Sequence, residues 1–567
     1  MIYYVISYFT MLVLAVLHSL VGIVLALYEK EAGHYDWKIP LIGNPIGLSN
    51  SPETGSIIVA SSSGVIGSID ASDGHLLWKM SQYSREYPIT GLSVVGDSSV
   101  HVSFSGASSV VLDLVTGALL GHTGLPVDSL SSNSLLVGSR VVKVVPESAL
   151  IVCTTVSGAQ VWTREESMVD VSAVYIVDLG GVIGDGALAW LMGSLKIALV
   201  QSEIGRLVGI NVAVGEILWG VNLNGLDLKI LENRVYLLDA QDGLCVNELS
   251  VLTGELIGCS NWVAPAVDRS YSINDSTIHG RFQSRPSWKV HLPSKNLSHF
   301  HQECSESIPV IVKSDASVVL KYINPNLMVV AGELNDGLDL VGIDTVTGVV
   351  VFDILLDNAS FVSCVVCENW IVCHYLKNHA SFEVISIDLF DPKENLYSEY
   401  SSAFDLPIVP SVVFQQYVFP YGSISAMAVS STLRGVTPRQ ILFATNRGIV
   451  AIRKDIWLNP QRGTDDQLPS YTPNLPVIRT DIISHKHVLE NIKRLVAMPT
   501  HLESTSIVLA VGGDIFCSPV YIGNSPFDVL SPFFDYKLLY ASVASVGVAL
   551  VITHFWAKRT ELGNKWK

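Results

Sequence analysis

The sequence predicts an all-β body followed by a single C-terminal transmembrane helix. Over most of residues 40–525, short runs of β-branched and apolar residues alternate with Gly, Asn, Asp and Ser turns, without sustained helical periodicity. A strand–turn–strand motif recurs within this body. A run of residues without formal charge, 538–556, lies near the end of the sequence. These three observations predict the fold class.

In the recurring motif an Asp, Asn or similar polar residue ends one strand, and a Gly closes the turn before the next. The clearest copies are 67–78, 111–120, 209–219 and 342–352. We identify the turn glycines as Gly74, Gly117, Gly158, Gly215 and Gly348, of which the first three are 43 and 41 residues apart. Four-stranded units that repeat every 40–50 residues or so are typical of β-propeller blades.

The motif resembles the blade of quinoprotein-type propellers. Its Gly permits a positive φ at the turn, and a Trp that often follows packs between neighbouring blades. We expect one quinoprotein-like β-propeller of about seven or eight blades over residues 27–527. Strands near 506–520 are expected to close the ring against strands near the N-terminus.

Both ends of the sequence predict membrane targeting. Residues 1–26 are almost wholly apolar and predict a signal peptide, with an uncleaved signal anchor as the alternative. Residues 528–537 are predicted as a luminal linker. The helix at 538–556 would span about 28 Å, close to the bilayer core of about 30 Å. Basic residues in the tail, 557–567, favour a cytosolic C-terminus and a translocated body.

Small residues crowd the first half of the predicted membrane helix. They predict a face that packs against other membrane helices, the alternative being a helix surrounded only by lipid. The residues of this face are Ala541, Ser542, Ala544, Ser545, Gly547 and Ala549.

Charge and cysteine content restrict the function. The formal net charge of −17, from 35 Lys and Arg against 52 Asp and Glu, argues against a nucleic-acid partner. Asn274, Asn296 and Asn358 begin glycosylation sequons, which are compatible with a luminal body. Of eight cysteines, Cys364 and Cys367 form a C-x-x-C in an apolar run; half-buried strand cysteines and structural disulfides both remain open, and a zinc site is weakly indicated.

Sequence motifs of catalysis are not found. The sequence has no Walker-type loop, no G-x-S-x-G elbow and no calcium-loop carboxylate cluster, so we expect no catalytic, cofactor-binding or metal-binding residues. The histidines at 299 and 301 are interpreted as part of a polar loop rather than as metal ligands. Residues 481–496 place apolar side chains at helical spacing and predict a helix that covers the propeller, with a membrane-surface helix as the alternative.

An ordered series of segments resembles subunit 1 of the ER membrane protein complex. The segments are 27–37, 324–327, 368–372, 415–420, 423–427, 434–439, 502–505, 513–516, 527–530 and 535–536. The region 120–315 matches weakly, and members of this family are usually longer, with two luminal propellers. The resemblance therefore indicates a shortened member with a single luminal propeller.

What the resemblance implies is a non-catalytic luminal scaffold and client-contacting subunit of an insertase for tail-anchored and multipass proteins. The implied partners are other subunits of the complex, client transmembrane helices and ER membrane lipid, in a single-pass type I arrangement without cofactor. Two alternatives remain: a membrane-anchored propeller receptor or interaction protein of the secretory pathway, and a quinoprotein-type dehydrogenase.

Four residues beside the two membrane-proximal ends are candidates for partner contact. They are Asp36, Trp37, Asp535 and Tyr536. For Asp36 and Trp37 the alternative is a turn carboxylate and packing of the first strand.

Overall fold

The structure is a computed structural model in which much of the chain is described. The described residues are 35–50, 55–81, 88–96, 98–105, 109–123, 130, 133–181, 186, 188–231, 233–239, 245–258, 269–283, 285–304, 308–313, 316–392, 409–463, 468–485, 487–522, 527–528 and 536–566. They divide into two compact units, within residues 1–525 and 526–567.

The first unit is built from antiparallel sheets of consecutive strands. Three sheets come early in the chain: β2–β5 (Pro45–Asn50, Ser56–Ser61, Ile66–Asp70, Leu76–Met80), β6–β9 (Ile89–Val95, Ser99–Phe104, Ser109–Asp113, Leu119–Thr123) and β10–β13 (Ser134–Val137, Arg140–Val145, Leu150–Thr155, Gln160–Glu165). The next three are β14–β17 (Val171–Gly180, Leu195–Ser202, Arg206–Asn211, Glu216–Asn222), β18–β21 (Asp227–Leu231, Arg234–Leu238, Cys245–Leu249, Leu256–Gly258) and β22–β24 (Arg269–Asn274, Thr277–Phe282, Arg285–His291).

The later sheets complete the body. They are β25 (Lys295–His301) with β28–β30 (Leu327–Leu334, Gly337–Asp344, Val350–Asp357), β31–β34 (Ala359–Cys367, Trp370–Lys377, Ser381–Phe390, Ser411–Val418), β35–β37 (Ile424–Val429, Gln440–Thr445, Gly448–Arg453), and β38–β40 (Ile492–Pro499, Thr505–Gly512, Asp514–Tyr521) with β1 (Trp37–Pro40). A hairpin, β26–β27 (Val310–Val312, Val318–Leu320), follows β25. Within the described ranges, the helices are α1 (Ala189–Met192), α2 (Tyr536–Lys565) and the 3₁₀ turns η1 (Pro146–Ser148), η2 (Ser167–Asp170) and η3 (Arg479–Asp481).

The body closes where the sequence predicts. The N-terminal strand β1 pairs antiparallel with β40, so that Trp37 lies opposite Cys517. One sheet therefore combines strands from both ends of the body.

Seven sheets follow one another through shared hydrophobic cores. From β18–β21 the series runs through β14–β17 to the closing sheet β1/β38–β40. It continues through β35–β37, β31–β34 and β25/β28–β30 to β22–β24. The two ends of the series are joined in sequence by residues 259–268, outside the described residues. The predicted all-β propeller fold is confirmed, and this series contains seven sheets.

The three early sheets form a separate module. Sheet β2–β5 lies between β6–β9 and β10–β13, with one hydrophobic core on each face. The prediction of a single propeller over residues 27–527 did not include this module. The same spacing of about 40 residues occurs both in the module and in the series of seven sheets, which we call the ring. Spacing identifies a blade but does not reveal which sheet the blade packs against.

Tryptophan side chains dock on turn glycines at the junctions between sheets. In the module, the Nε1 atoms of Trp78 and Trp162 donate to the carbonyls of Leu114 at 2.9 Å and Ala71 at 3.1 Å. Trp37, Trp219 and Trp288 make the same bond in the ring, to Val212, Val251 and Thr345. Each acceptor lies three residues before a glycine whose φ is between +68° and +79°. A Cβ on any of these glycines would lie only 2.4–2.8 Å from the indole.

The docked glycines are Gly74, Gly117, Gly215, Gly254 and Gly348. Sequence comparison missed Gly254 and included Gly158, whose turn is one residue shorter and closes through Gly158 N–H to Thr155 O at 2.9 Å. A Cβ on Gly158 would meet nothing within 4 Å. Trp162 docks on Gly74, which precedes it in the sequence, and this contact places β10–β13 beside β2–β5.

Two segments differ from their predicted structure. Residues 481–496 do not form a helix: they end η3 and enter β38, whose Leu495 lies opposite Ala510. The pairing along β39 overrides the helical spacing of the apolar residues. His299 and His301 lie on β25 instead of in a loop.

The second unit contains α2, described here by itself. Its 30 residues are long and apolar enough to cross a membrane, by length and composition. The hydroxyls of Ser542 and Ser545 donate to the carbonyls of Leu539 and Ser542, each at 2.7 Å. Such bonds satisfy these hydroxyls within the helix, which lowers the cost of placing them in an apolar medium.

Candidate interaction site

Three segments that carry the family resemblance converge on one loop. Segments 368–372, 434–439 and 502–505 are far apart in sequence, yet the carboxylate of Glu503 accepts hydrogen bonds from the backbone N–H groups of Arg434 at 3.0 Å, Val436 at 3.0 Å and Thr437 at 3.3 Å. Burial alone would raise the pKa of Glu503, but these donors and the Thr432 hydroxyl hold it below its usual value. Glu503 therefore fixes the 433–438 loop.

A buried charge cluster holds the other side of the same loop. Arg439 Nε lies 3.3 Å from Glu368 Oε1, and Lys321 Nζ lies 2.6 Å from Glu368 Oε2. Next to this pair, Lys454 Nζ lies 2.7 Å from Asp388 Oδ1. Burial raises the pKa of Asp388, and Lys454 opposes that rise. The cluster thus contains three cations and two carboxylates around a cavity of about 350 Å³.

Exposed apolar side chains surround this cluster. Leu433 and Val436 on the loop are 62% and 56% exposed. The adjacent hairpin β26–β27 exposes Val312 and Val318. We call these four side chains the apolar rim. Apolar groups around a satisfied polar centre, on a rigidly held loop, are typical of surfaces that bind a partner.

Disulfides brace the sheet beneath the rim. Cys364 on β31 lies opposite Cys373 on β32, and the two are bonded. Cys367 is bonded to Cys304, and Cys245 is also disulfide-bonded. The C-x-x-C cysteines are therefore strand residues in two different structural disulfides and are not available as zinc ligands. Cys153 and Cys517 are buried free thiols.

A second cavity, of about 500 Å³, lies beside the innermost strands of the ring. Residues of β35, β38 and the segment after β25 line it. These strands belong to the series β25, β31, β35, β38 and β14 that contact one another side by side, so we call this space the axial cavity. Glu303 faces it, and the surrounding protein raises the pKa of this carboxyl to about 7.

The structure places two predicted contact residues inside the body. Asp36 is buried, and its Oδ2 lies 3.2 Å from Nε2 of His487. Trp37 docks on Gly215. The contact of Trp37 corresponds to the first-strand packing that is its alternative, whereas Asp36 is buried beside His487 and does not lie in a turn. Asp535 lies outside the described residues, and Tyr536 begins α2. Partner contact by any of the four stays a prediction.

The three sequon asparagines are exposed. Asn274 ends β22, and Asn358 lies between β30 and β31. The Nδ2 atom of Asn296 donates to Glu333 Oε2 at 2.7 Å, a bond that a glycan on this nitrogen would have to displace. Modification at these positions stays a prediction.

Sequence reasoning missed Glu503, Arg439 and Glu303. The segments that contain Glu503 and Arg439 are recognisable by their order along the chain. The roles of these two residues depend on partners about 70 residues away, for which one sequence gives no signal. Glu303 lies in a polar stretch that resembled a loop. Among the described residues, no group of three or more His, Cys, Asp or Glu is placed to hold a metal ion.

Comparisons with known proteins agree with the resemblance. Residues 263–522 match a family model described as ER membrane protein complex subunit 1, second beta-propeller, and residues 26–183 match one described as EMC1 N-terminal beta-propeller domain. Together these matches cover well over half of the chain.

Curated relatives named ER membrane protein complex subunit 1 are similar over about half of the chain. The Xenopus laevis protein is 30% identical over 45% of this chain and 27% of its own length. The Gallus gallus protein is 29% identical over 50% and 30%, and the Saccharomyces cerevisiae protein 26% over 52% and 41%. The chain therefore spans less than half the length of these relatives.

Proposed function

Because the chain belongs to the family of ER membrane protein complex subunit 1, we propose that it is a subunit of the ER membrane protein complex that acts through contacts and not through bond chemistry. In this proposal the sheets form a luminal scaffold, and α2 spans the ER membrane once with its C-terminal end in the cytosol. The disulfides support a luminal body, because such bonds persist in oxidising compartments.

The convergence on the 433–438 loop carries the proposal. Three segments that resemble the family hold one loop. Glu503 accepts hydrogen bonds from the backbone of the loop, and Arg439 links the loop to Glu368. The loop presents Leu433 and Val436 outward. An apolar rim held in place before binding loses little conformational entropy when a partner docks, so it favours a stable subunit contact. We assign the apolar rim to contact with another subunit of the complex.

The membrane segment supplies the second part of the proposal. A client helix with polar residues is unstable in lipid until its own partners arrive. The small side chains between Ala541 and Ala549 let a second helix approach closely. We propose that this face shelters client helices of tail-anchored and multipass proteins, while the luminal sheets hold their translocated ends.

The test is affinity purification in gentle detergent, followed by mass spectrometry. The full chain is expected to recover multispanning subunits of the complex. Val436→Asp is expected to reduce that recovery about tenfold or more, because it places a charge in the centre of a desolvated apolar contact. The control is Val156→Asp, at a turn of the three-sheet module where the valine is 69% exposed.

Recovery of the full chain alone would contradict the proposal and favour an independent membrane-anchored interaction protein. Equal recovery with Val436→Asp and with the control would remove the apolar rim from the contact while leaving membership of the complex intact.

A further inference from the structure

Two carboxylates share one face of the sheet that contains β29 and β30. Asp339 on β29 lies opposite Gly332 of β28, and Asp353 on β30 lies opposite Val341 of β29. Because alternate residues of a strand and directly opposed residues of a ladder point to the same side, Asp339, Val341 and Asp353 share a face. Val341 belongs to the hydrophobic core that this face forms with β22–β24. Asp339 is only 5% exposed there, whereas Asp353 is open to solvent.

The two carboxylates have no cation beside them. Among the described residues, neither Asp339 nor Asp353 has a Lys, Arg or His within ion-pair distance. Burial, together with the adjacent carboxyl of Asp353, raises the pKa of Asp339 to about 6. Adjacent carboxylates repel each other, so one of them keeps a proton unless a cation binds to both. The pair therefore favours an added positive charge.

A fully buried hydroxyl lies at the same place. Ser294, between β24 and β25, is fully buried, and its Oγ has no hydrogen-bond partner among the described residues. A Cβ on Gly332 would lie only 2.2 Å from this oxygen, so the hydroxyl lies over Gly332, which is directly opposite Asp339. A buried polar group without a partner is costly, and a bound ion is one of the ways in which proteins satisfy it.

We propose that Asp339, Asp353 and Ser294 bind a calcium ion where β22–β24 packs against β29 and β30. The three side chains offer only oxygen atoms, which Ca²⁺ and Mg²⁺ prefer, whereas zinc and copper favour nitrogen and sulfur. Ca²⁺ accepts about six to eight oxygens in irregular geometry, so water can fill the positions on the side of the exposed Asp353.

Mg²⁺ fits this site less well, because it demands a nearly ideal octahedron and three side chains from separate elements do not provide one. The site shares no residue with the 433–438 loop or with the apolar rim. It therefore does not depend on membership of the complex, and failure of one proposal leaves the other unaffected.

Calorimetric titration of CaCl₂ into the full chain in detergent tests the proposal, after metal has been removed with EDTA and exchanged away. At pH 8, well above the pKa of Asp339, we expect a dissociation constant of about 10⁻⁴–10⁻³ M, as in sites with few charged ligands. MgCl₂ should bind at least about tenfold more weakly. Asp339→Asn and Asp353→Asn should each weaken binding of calcium about tenfold or more, because a charged ligand becomes neutral.

The matched control is Asp227→Asn, at the exposed first position of β18. It makes the same chemical change on the same acidic chain, so it separates the site from general attraction of calcium to negative charge. It should bind calcium as the unaltered chain does.

Thermal unfolding gives a second reading. A ligand that binds only the folded chain stabilises it, so CaCl₂ at about ten times its dissociation constant should raise the melting temperature by roughly 1–2 °C. Both site variants should lose this rise, and Asp227→Asn should keep it. In EDTA, Asp339→Asn should melt at or above the temperature of the unaltered chain, because an uncompensated buried carboxylate has been removed.

Asp353→Asn keeps the test decisive if Asp339→Asn fails to fold, because Asp353 is exposed and its replacement leaves the core intact. Absence of calcium heat with the unaltered chain would overturn the proposal. Equal affinity for magnesium, or unchanged calcium affinity in a folded Asp339→Asn or Asp353→Asn variant, would overturn it as well.

Discussion

His374 shows how a single polar residue is tolerated in the core of a sheet. It is fully buried on β32 and stacks on Phe382, with ring centroids 5.5 Å apart. Neither ring nitrogen has a hydrogen-bond partner among the described residues. Burial lowers the pKa of His374 to about 4, so the imidazole is neutral at physiological pH and serves as a flat packing group.

Replacement of this histidine should stabilise the body, most strongly in acid. An unfolded histidine has a pKa near 6.5, so below that pH the unfolded chain takes up a proton that folded His374 refuses until about pH 4. The free energy of unfolding therefore falls as pH decreases through this window, by up to about 1.4 kcal/mol per pH unit. His374→Leu should raise the melting temperature at pH 7.5 and increase its advantage at pH 5.

The matched control is His75→Leu, on an exposed turn. A melting temperature of His374→Leu below that of the unaltered chain at both pH values would indicate that the ring packing outweighs the unsatisfied nitrogens.

The secondary structure of a segment depends on the strands packed beside it as much as on its own hydrophobic periodicity. The segment that enters β38 has apolar residues at helical spacing, yet it lies at the inner edge of a sheet and contacts β35 and β14. The hairpins that carry the tryptophans and the turn glycines can, in contrast, be recognised from sequence, because their strands, glycines and tryptophans are close together in the chain. Only the glycine turn on which each tryptophan docks is distant in sequence. Local patterns predict such hairpins well and edge strands poorly.

The small-residue face of α2 makes a prediction at the scale of one helix. Replacing Ala541, Ala544 and Ala549 together by Leu should reduce both recovery of the other subunits and insertion of a tail-anchored client, because bulky side chains prevent close approach of a second helix. Recovery in gentle detergent and a client-insertion assay measure the two effects.

The control carries Leu at Val543, Val548 and Val551, where the side chains are already large. Behaviour of the alanine variant equal to that of this control would remove the helix face from the mechanism.

At the scale of the whole molecule, a buried carboxylate joins the module to the ring. Asp514 on β40 is fully buried and lies 2.7 Å from Lys79 Nζ of β5 and 3.1 Å from Lys38 Nζ of β1. Glu166 adds a second link, because its Oε2 accepts from Ile42 N–H at 2.6 Å just before the module begins. Charged contacts of this kind fix orientation as well as contributing stability.

Asp514→Asn should loosen the module from the ring. Neutralising Asp514 removes the carboxylate beside Lys38 and leaves Lys79 with Glu490 Oε2 alone, at 3.2 Å. Loss of one partner from a buried pair costs about 3–5 kcal/mol, and the remaining contact of Lys79 with Glu490 places the expected loss toward the lower end of this range. We expect a lower melting temperature and faster proteolytic cleavage around residues 41–45. Glu203→Gln, in a surface contact 3.7 Å from Lys493, should change neither measurement, and equal sensitivity of both variants would argue against the link.

The sequence by itself determined most of the strands, the tight glycine turns, the apolar C-terminal helix and the family. Each of these depends on local periodicity, on turn chemistry or on the order of short segments. These properties depend on residues that are close together in the sequence or on the order of short segments, so they can be recognised before any contact is known.

Only the tertiary structure decided which sheets pack together. It separated the three-sheet module from the ring, paired Cys364 with Cys373 and Cys367 with Cys304, and placed Glu503 under its loop and Glu303 at the axial cavity. All of these depend on residues that are distant in sequence and meet through packing. The physical reason is that burial and charge at a site are properties of the neighbours that folding brings there.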